Sequence, residues 1–192
     1  MTAAQPEPHC AAALEAIFDR CFAESEATRL RGGVDEPLYV PASPEQGHAV
    51  IWYREDYSAS ALHEVSHWCI AGPERRRLPD FGYWYHPDGR SPAQQAAFER
   101  VEVRPQALEW CLSRACGFRF RVSIDNLMGE GPEAADHSRF ERAVVVQAND
   151  YRKRGLPPRA AAFATALARH WQCRDPLAES FSLLELRTGQ PG

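Results

Sequence analysis

The sequence predicts a single α+β domain, mainly helical, with a small sheet of short strands and a metal site on a central helix. Three observations predict it. Most of the chain falls into segments whose apolar residues recur with a period near 3.6, as helices with one buried face require. Two short runs, Leu38-Tyr39-Val40 and Ala49-Val50-Ile51-Trp52-Tyr53, are instead β-rich and flanked by turn formers. The 192 residues suffice for one domain with a proper core and are few for two.

The elements follow in order. Residues 1–9 are proline-rich and are expected to be disordered. From about Cys10 to Arg31, Leu14, Ile17, Phe18, Cys21 and Phe22 follow helical spacing, and Gly32-Gly33 are expected to end that helix. The two β-rich runs come next. The second leads through Asp56 and Ser58, either of which suits a helix cap, into a helix at about 58–71 that Gly72-Pro73 stops. Phe81 to His86 is expected to be extended and to close in a Pro87-Asp88-Gly89 turn. Ser91-Pro92 opens a long helix to about Ala115, which Pro105 should kink or split because it lacks a backbone donor. Two further helices are expected near 136–154 and 158–171. One domain is thus assigned to 10–175, with a C-terminal tail at 176–192.

A charged content of 25% and a net charge of −4 at pH 7 argue against a general nucleic-acid binder, so no direct nucleic-acid partner is expected. MTAAQPEPHC has neither a basic n-region nor an apolar h-region, and no apolar run approaches the ~18 residues that span a bilayer. The six cysteines form no C-x-x-C pair and are expected as reduced thiols of a cytoplasmic protein without a membrane partner. Cys69 turns off the face that His67 occupies and is expected as a plain buried thiol.

His63-Glu64-Val65-Ser66-His67 carries the chemistry. Positions i and i+4 share a helical face, so both imidazoles can reach one ion, with Glu64 beside it as a candidate proton carrier. A third ligand is needed. The histidine that metzincins place six residues after the second one is Pro73 here, and their spacer glycine is Ile70. The same Pro73 breaks the H-x-x-x-H-x-x-x-x-x-H pattern of a bacterial ribosomal-RNA endoribonuclease family. A downstream carboxylate is the better candidate. Glu99 and Glu102 share a helical face; Glu102, between two valines and followed one turn later by Gln106, is preferred, with Glu99 as the alternative or a supporting residue. Two histidines and one carboxylate suit iron(II) with open positions for O₂ and substrate, or zinc(II) with one activated water, so the ligand types leave oxygenase and hydrolase both open.

The stretch from Ala61 to Trp110 contains ALHEVSHWCIAG, RRRLPDFGYWYHPDGR and QQAAFERVEVRPQALEW. It resembles the bacterial elongation factor P hydroxylases, with weaker similarity upstream through RLRGGVDEPLYVPA and downstream into SIDNL and the later helices. The first ten and last twenty or so residues match poorly. The resemblance implies a cytoplasmic enzyme that uses O₂ to hydroxylate the β-lysylated lysine of elongation factor P. It implies a two-histidine, one-carboxylate site for iron(II), with zinc(II) as the alternative, on His63, His67 and Glu102. It also implies a fold similar to the endoribonuclease family rather than a double-stranded β-helix. The alternative function is a zinc-dependent hydrolase with Glu64 as base; in a hydroxylase Glu64 would orient substrate or relay protons. For a long cationic substrate, Tyr83, Trp84 and Tyr85 offer an apolar and cation–π wall, and Asp80 or Asp88 offers a counter-charge. His86, before a tight turn, is expected at the surface. Arg75, Arg76 and Arg77 form the densest basic run and a candidate docking patch for an acidic partner.

Overall fold

A computed structural model describes residues 11–80, 91–123 and 138–188. The order is α1 (Ala11–Phe22), β1 (Thr28–Val34), β2 (Leu38–Val40), β3 (Ala49–Arg54), α2 (Ser58–Ile70), a 3-10 turn (Arg75–Arg77), α3 (Pro92–Ala115), α4 (Ser138–Arg154), α5 (Pro158–Trp171) and α6 (Leu183–Thr188). The fold is the expected α+β domain: helices dominate, and the three strands form one sheet in the order β1-β3-β2.

The first helix ends nine residues earlier than the periodicity predicts, and the remainder becomes a strand. After α1, Ala27 adopts a positive φ of 45° and the chain pairs parallel to β3, with Thr28 opposite Ala49 and Leu30 opposite Ile51. The Gly32-Gly33 pair does not stop a helix; it makes a bulge in β1, with Gly33 at φ 100°. Glu15 on α1 accepts from the amide of Gly32 at 2.8 Å and from the Tyr53 hydroxyl at 2.9 Å, so the donor freed by the bulge is satisfied. Asp19, one turn further along α1, pairs with Arg29 and Arg31 of β1 at 3.1 and 2.8 Å.

The core lies where α1, α2 and α5 meet. Phe18, Phe22, Trp68 and Phe163 pack in tilted and edge-to-face pairs with ring centroids 4.9–6.3 Å apart. The α3 helix packs against α2, α4 and α5, and from Pro105 to Ser113 every residue is buried. It runs unbroken through Pro105. It opens with the reciprocal cap Ser91/Gln94, in which Gln94 accepts from the Ser91 amide at 2.9 Å. Within the segment assigned as a tail, Phe181 and Leu186 are buried, and Glu185 of α6 takes a two-point ion pair from Arg114, with Nε at 2.7 Å. Among the described residues no helix is long and apolar enough to cross a membrane.

Candidate metal centre

The HEVSH motif sits on α2, which enters from β3 through Glu55 at φ 46°. Its N-cap is Tyr57, without a side-chain bond; neither Asp56 nor Ser58 caps it. Instead the Ser60 hydroxyl accepts from the Arg54 amide at 3.0 Å. Ala61, Leu62, Val65, Trp68 and Cys69 bury one side of α2 in the core. The other side, His63, Glu64, His67 and Ile70, faces a cleft of about 700 Å³. Cys69 is therefore a core thiol, and burial pushes its pKa up to about 12. At the C-terminal end, Arg159 of α5 donates to the carbonyls of Trp68, Cys69 and Ala71 at 2.9, 3.3 and 2.6 Å, while its guanidinium lies 4.6 Å from the Trp68 ring centroid. A cation there satisfies carbonyls that the helix cannot and complements its dipole.

Across the cleft, α3 presents Glu102, Gln106 and Glu109 at i, i+4 and i+7, one stripe facing α2. The three donors expected from the sequence converge. His63 Nε2 and His67 Nε2 are 3.1 Å apart, and Glu102 Oε1 is 3.3 Å from His67 Nε2 while its Oε2 is 3.6 Å from His63 Nε2. Ligands ~2.1 Å from one ion sit roughly 3.0–3.4 Å apart in octahedral or tetrahedral arrangements, so the spacing fits either. Two imidazole lone pairs and a carboxylate aimed at one point repel each other unless a proton or a cation lies between them. The donor set therefore fits a divalent ion, and His63, His67 and Glu102 could hold it.

Glu102 is 3% exposed. Burial alone would raise its pKa, but hydrogen bonding to His67, the charges of both histidines and the Gln106 bond together bring it down to about 2, so it is a carboxylate at any physiological pH. Gln106 donates through Nε2 to Glu102 at 3.4 Å and to the Ser123 carbonyl at 2.8 Å, and its Oε1 accepts from the Ser123 amide at 3.1 Å. That two-point clamp fixes the amide with its donor end toward Glu102. Glu99 turns away from the cleft and accepts from Gln95 at 3.3 Å, so the supporting role falls to Gln106.

The residue the sequence reading missed is Glu109. Its Oε2 is 2.9 Å from His63 Nδ1, and the side chain is buried. With Nδ1–H donated to Glu109, the Nε2 lone pair of His63 points inward, as a ligand needs. The available signal was the seven-residue interval from Glu102, two helical turns along the same face. Glu64 lines the cleft without joining the triad. Burial raises its pKa above the usual carboxylate value, opposed by the charges of His63 and His67 and assisted by those of Glu102 and Asp80.

Arg75 pairs with Asp80 at 2.7 Å, Arg76 with Glu26 at 2.7 Å and Arg77 with Glu74 at 3.1 Å. The basic run is largely tied into the fold. Asp80 bridges to Tyr39 of β2 and lines the cleft. Phe81, Tyr83, Trp84, Tyr85, His86 and Asp88 lie outside the described residues.

A small α+β domain that aims two histidines of one helix and a carboxylate of the next at one point defines a candidate mononuclear metal protein of the two-histidine, one-carboxylate kind. The family model described as elongation factor P hydroxylase matches residues 17–181. The elongation factor P lysine hydroxylase of Haemophilus influenzae (strain ATCC 51907 / DSM 11121 / KW20 / Rd) is 48% identical over 162 residues, covering 84% of this chain and 89% of the relative. The chain belongs to the elongation factor P hydroxylase family.

Proposed function

We propose that this protein is a metal-dependent hydroxylase of a lysine in elongation factor P, acting in the cytoplasm after that lysine has been β-lysylated and using O₂. The observation that carries the reading is the convergence of His63, His67 and Glu102 in a cleft of a chain from this family. Iron(II), the proposed metal, would be held by His63, His67 and Glu102 and would supply the one-electron chemistry that lets O₂ hydroxylate an unactivated C–H bond, with the second oxygen atom leaving as water at the expense of two electrons from an external reductant.

The chain's own residues have separate tasks. Glu109 holds the proton on His63 Nδ1 and so fixes the tautomer and the ring plane. Gln106, clamped by Ser123, keeps Glu102 from rotating away. Glu64 and Asp80, on the cleft wall, are placed to receive the ammonium groups of a lysine-derived side chain, and Glu64 can also hold or deliver a proton.

Mass spectrometry of elongation factor P from cells with and without this protein tests the reading. An increment of about 16 Da, one oxygen, should vanish when the protein is absent; an unchanged mass refutes it. Metal analysis of anaerobically purified protein should find iron, whereas stoichiometric zinc alone would favour the hydrolase. Substituting His63→Ala should abolish both metal retention and the increment while the fold persists.

A further inference from the structure

With the arginine run at 75–77 engaged by Asp80, Glu26 and Glu74, a second set, scattered in sequence, is assembled only by the fold. Arg54 ends β3, Arg100 and Arg104 lie one turn apart on α3, and Arg121 follows that helix. All four line the cleft that holds His63 and His67, and all four are exposed. None makes a salt bridge among the described residues. Like charges at i and i+4 weaken a helix, and here the clustering runs against a chain whose net charge is −4. Val101, 40% exposed on the same wall, adds an apolar contact.

The deeper wall has the opposite sign. Glu64, Asp80, Glu102 and Glu109 all line the cleft, less exposed than the arginines. A cleft with a basic rim and an acidic interior fits a partner that is anionic at its surface and cationic at the group it inserts. A nucleic acid fits worse, because its phosphates would be driven toward those carboxylates.

We propose that Arg54, Arg100, Arg104 and Arg121 form a docking rim for an acidic protein surface from which a cationic side chain projects into the cleft. This rests on the reading that elongation factor P is the substrate and names the residues that hold its surface. Complementary rims act mainly on encounter and register, so their removal weakens binding more than chemistry.

Calorimetric titration of β-lysylated elongation factor P into two double variants tests it: Arg100→Glu with Arg104→Glu, and Arg54→Glu with Arg121→Glu. Lys153→Glu, exposed on α4 and outside the cleft, is the control. Each double variant should raise Kd about tenfold or more at low salt, with the gap narrowing toward 1 M salt, where the Debye length falls to about 3 Å. KM should rise with kcat little changed. Wild-type affinity in both double variants, in the presence of normal wild-type hydroxylation, overturns the rim. A wild-type protein that neither binds nor hydroxylates the factor overturns the underlying reading, and the rim with it. If the variants keep their affinity for the factor but lose it for single-stranded polyuridylate, the rim belongs to RNA and the proposal fails.

Discussion

Glu109 reaches His63 from the neighbouring helix and occupies the ring nitrogen that a metal bound at Nε2 would leave free. Carboxylates in this position raise the basicity of the ligand and hold its ring, and their loss typically lowers metal affinity about 10–100-fold. Glu109→Gln keeps the shape and removes the charge, so chelator competition should show a drop in that range while far-UV circular dichroism is unchanged. Glu99→Gln, whose native partner is Gln95, should leave affinity alone. The same carboxylates set a pH dependence in the metal-free protein. Burial disfavours charged His63, but the Glu109 hydrogen bond and the charges of Glu109, Glu102 and Glu64 outweigh it and lift the pKa from 6.5 to about 10. A raised folded-state pKa stabilises fully below the unfolded value and loses that contribution as pH rises through the folded one. Urea denaturation of the metal-free protein should therefore show stability falling from about pH 6.5 to about pH 10, and His63→Gln should flatten that slope.

At the scale of elements, two contacts position the HEVSH helix. A Cβ on Gly32 would lie 2.3 Å from the Glu55 carbonyl oxygen and 2.7 Å from the Tyr53 ring, so β1 could not keep its bulge beside the turn that leads into α2. Gly32→Ala should lower stability by about 1–3 kcal/mol, the usual range for overpacking, as measured by urea denaturation. At the other end of α2, Arg159→Met keeps much of the packing on Trp68 but strands three carbonyls. Charged hydrogen bonds contribute roughly 1.5–3 kcal/mol each way of counting, and a loss of that order in total is expected, with a visible fall in Tm. Pro105 shows why a helix-breaking residue need not break a helix. It is buried on the cleft side of α3, and burial there offsets one missing donor.

For the molecule as a whole, the proposed ligands join α2 to α3, so an ion would brace, at the cleft, two helices that already share the core beneath it. Anything that binds only the folded state stabilises it by mass action, by about 2.7 kcal/mol at a hundredfold excess over Kd. Anaerobic iron(II) should raise Tm by roughly 5–10 °C for a domain of this size. A chelator should reverse the shift, and the His63→Ala/His67→Ala double variant should show none.

Much of the site was legible because its spacings are local. His63 and His67 are four residues apart, as are Glu102 and Gln106, and helical geometry alone places each pair on one face. The apolar period identified α1 though not its end, the Gly72-Pro73 stop bounded α2, and the β-rich runs identified β2 and β3. What local spacing could not reach was any partner fixed by packing. The Glu109 carboxylate lies 46 residues from His63; its spacing from Glu102 places it on the cleft face of α3, but only packing brings it to the His63 ring. The strand β1 was hidden because Arg29, Arg31 and two glycines show no apolar alternation; its identity comes from pairing with β3 and from Glu15 and Asp19 on α1. Within the Arg75–Arg77 run, Arg76 looked free because its counter-charge, Glu26, lies 50 residues away, whereas Asp80 and Glu74 are near neighbours in sequence. By itself the sequence determined which residue types meet along a helix face; the tertiary structure alone decided which charges are neutralised and which remain to face a partner, because Coulomb and hydrogen-bond energies depend on distance in space rather than along the chain.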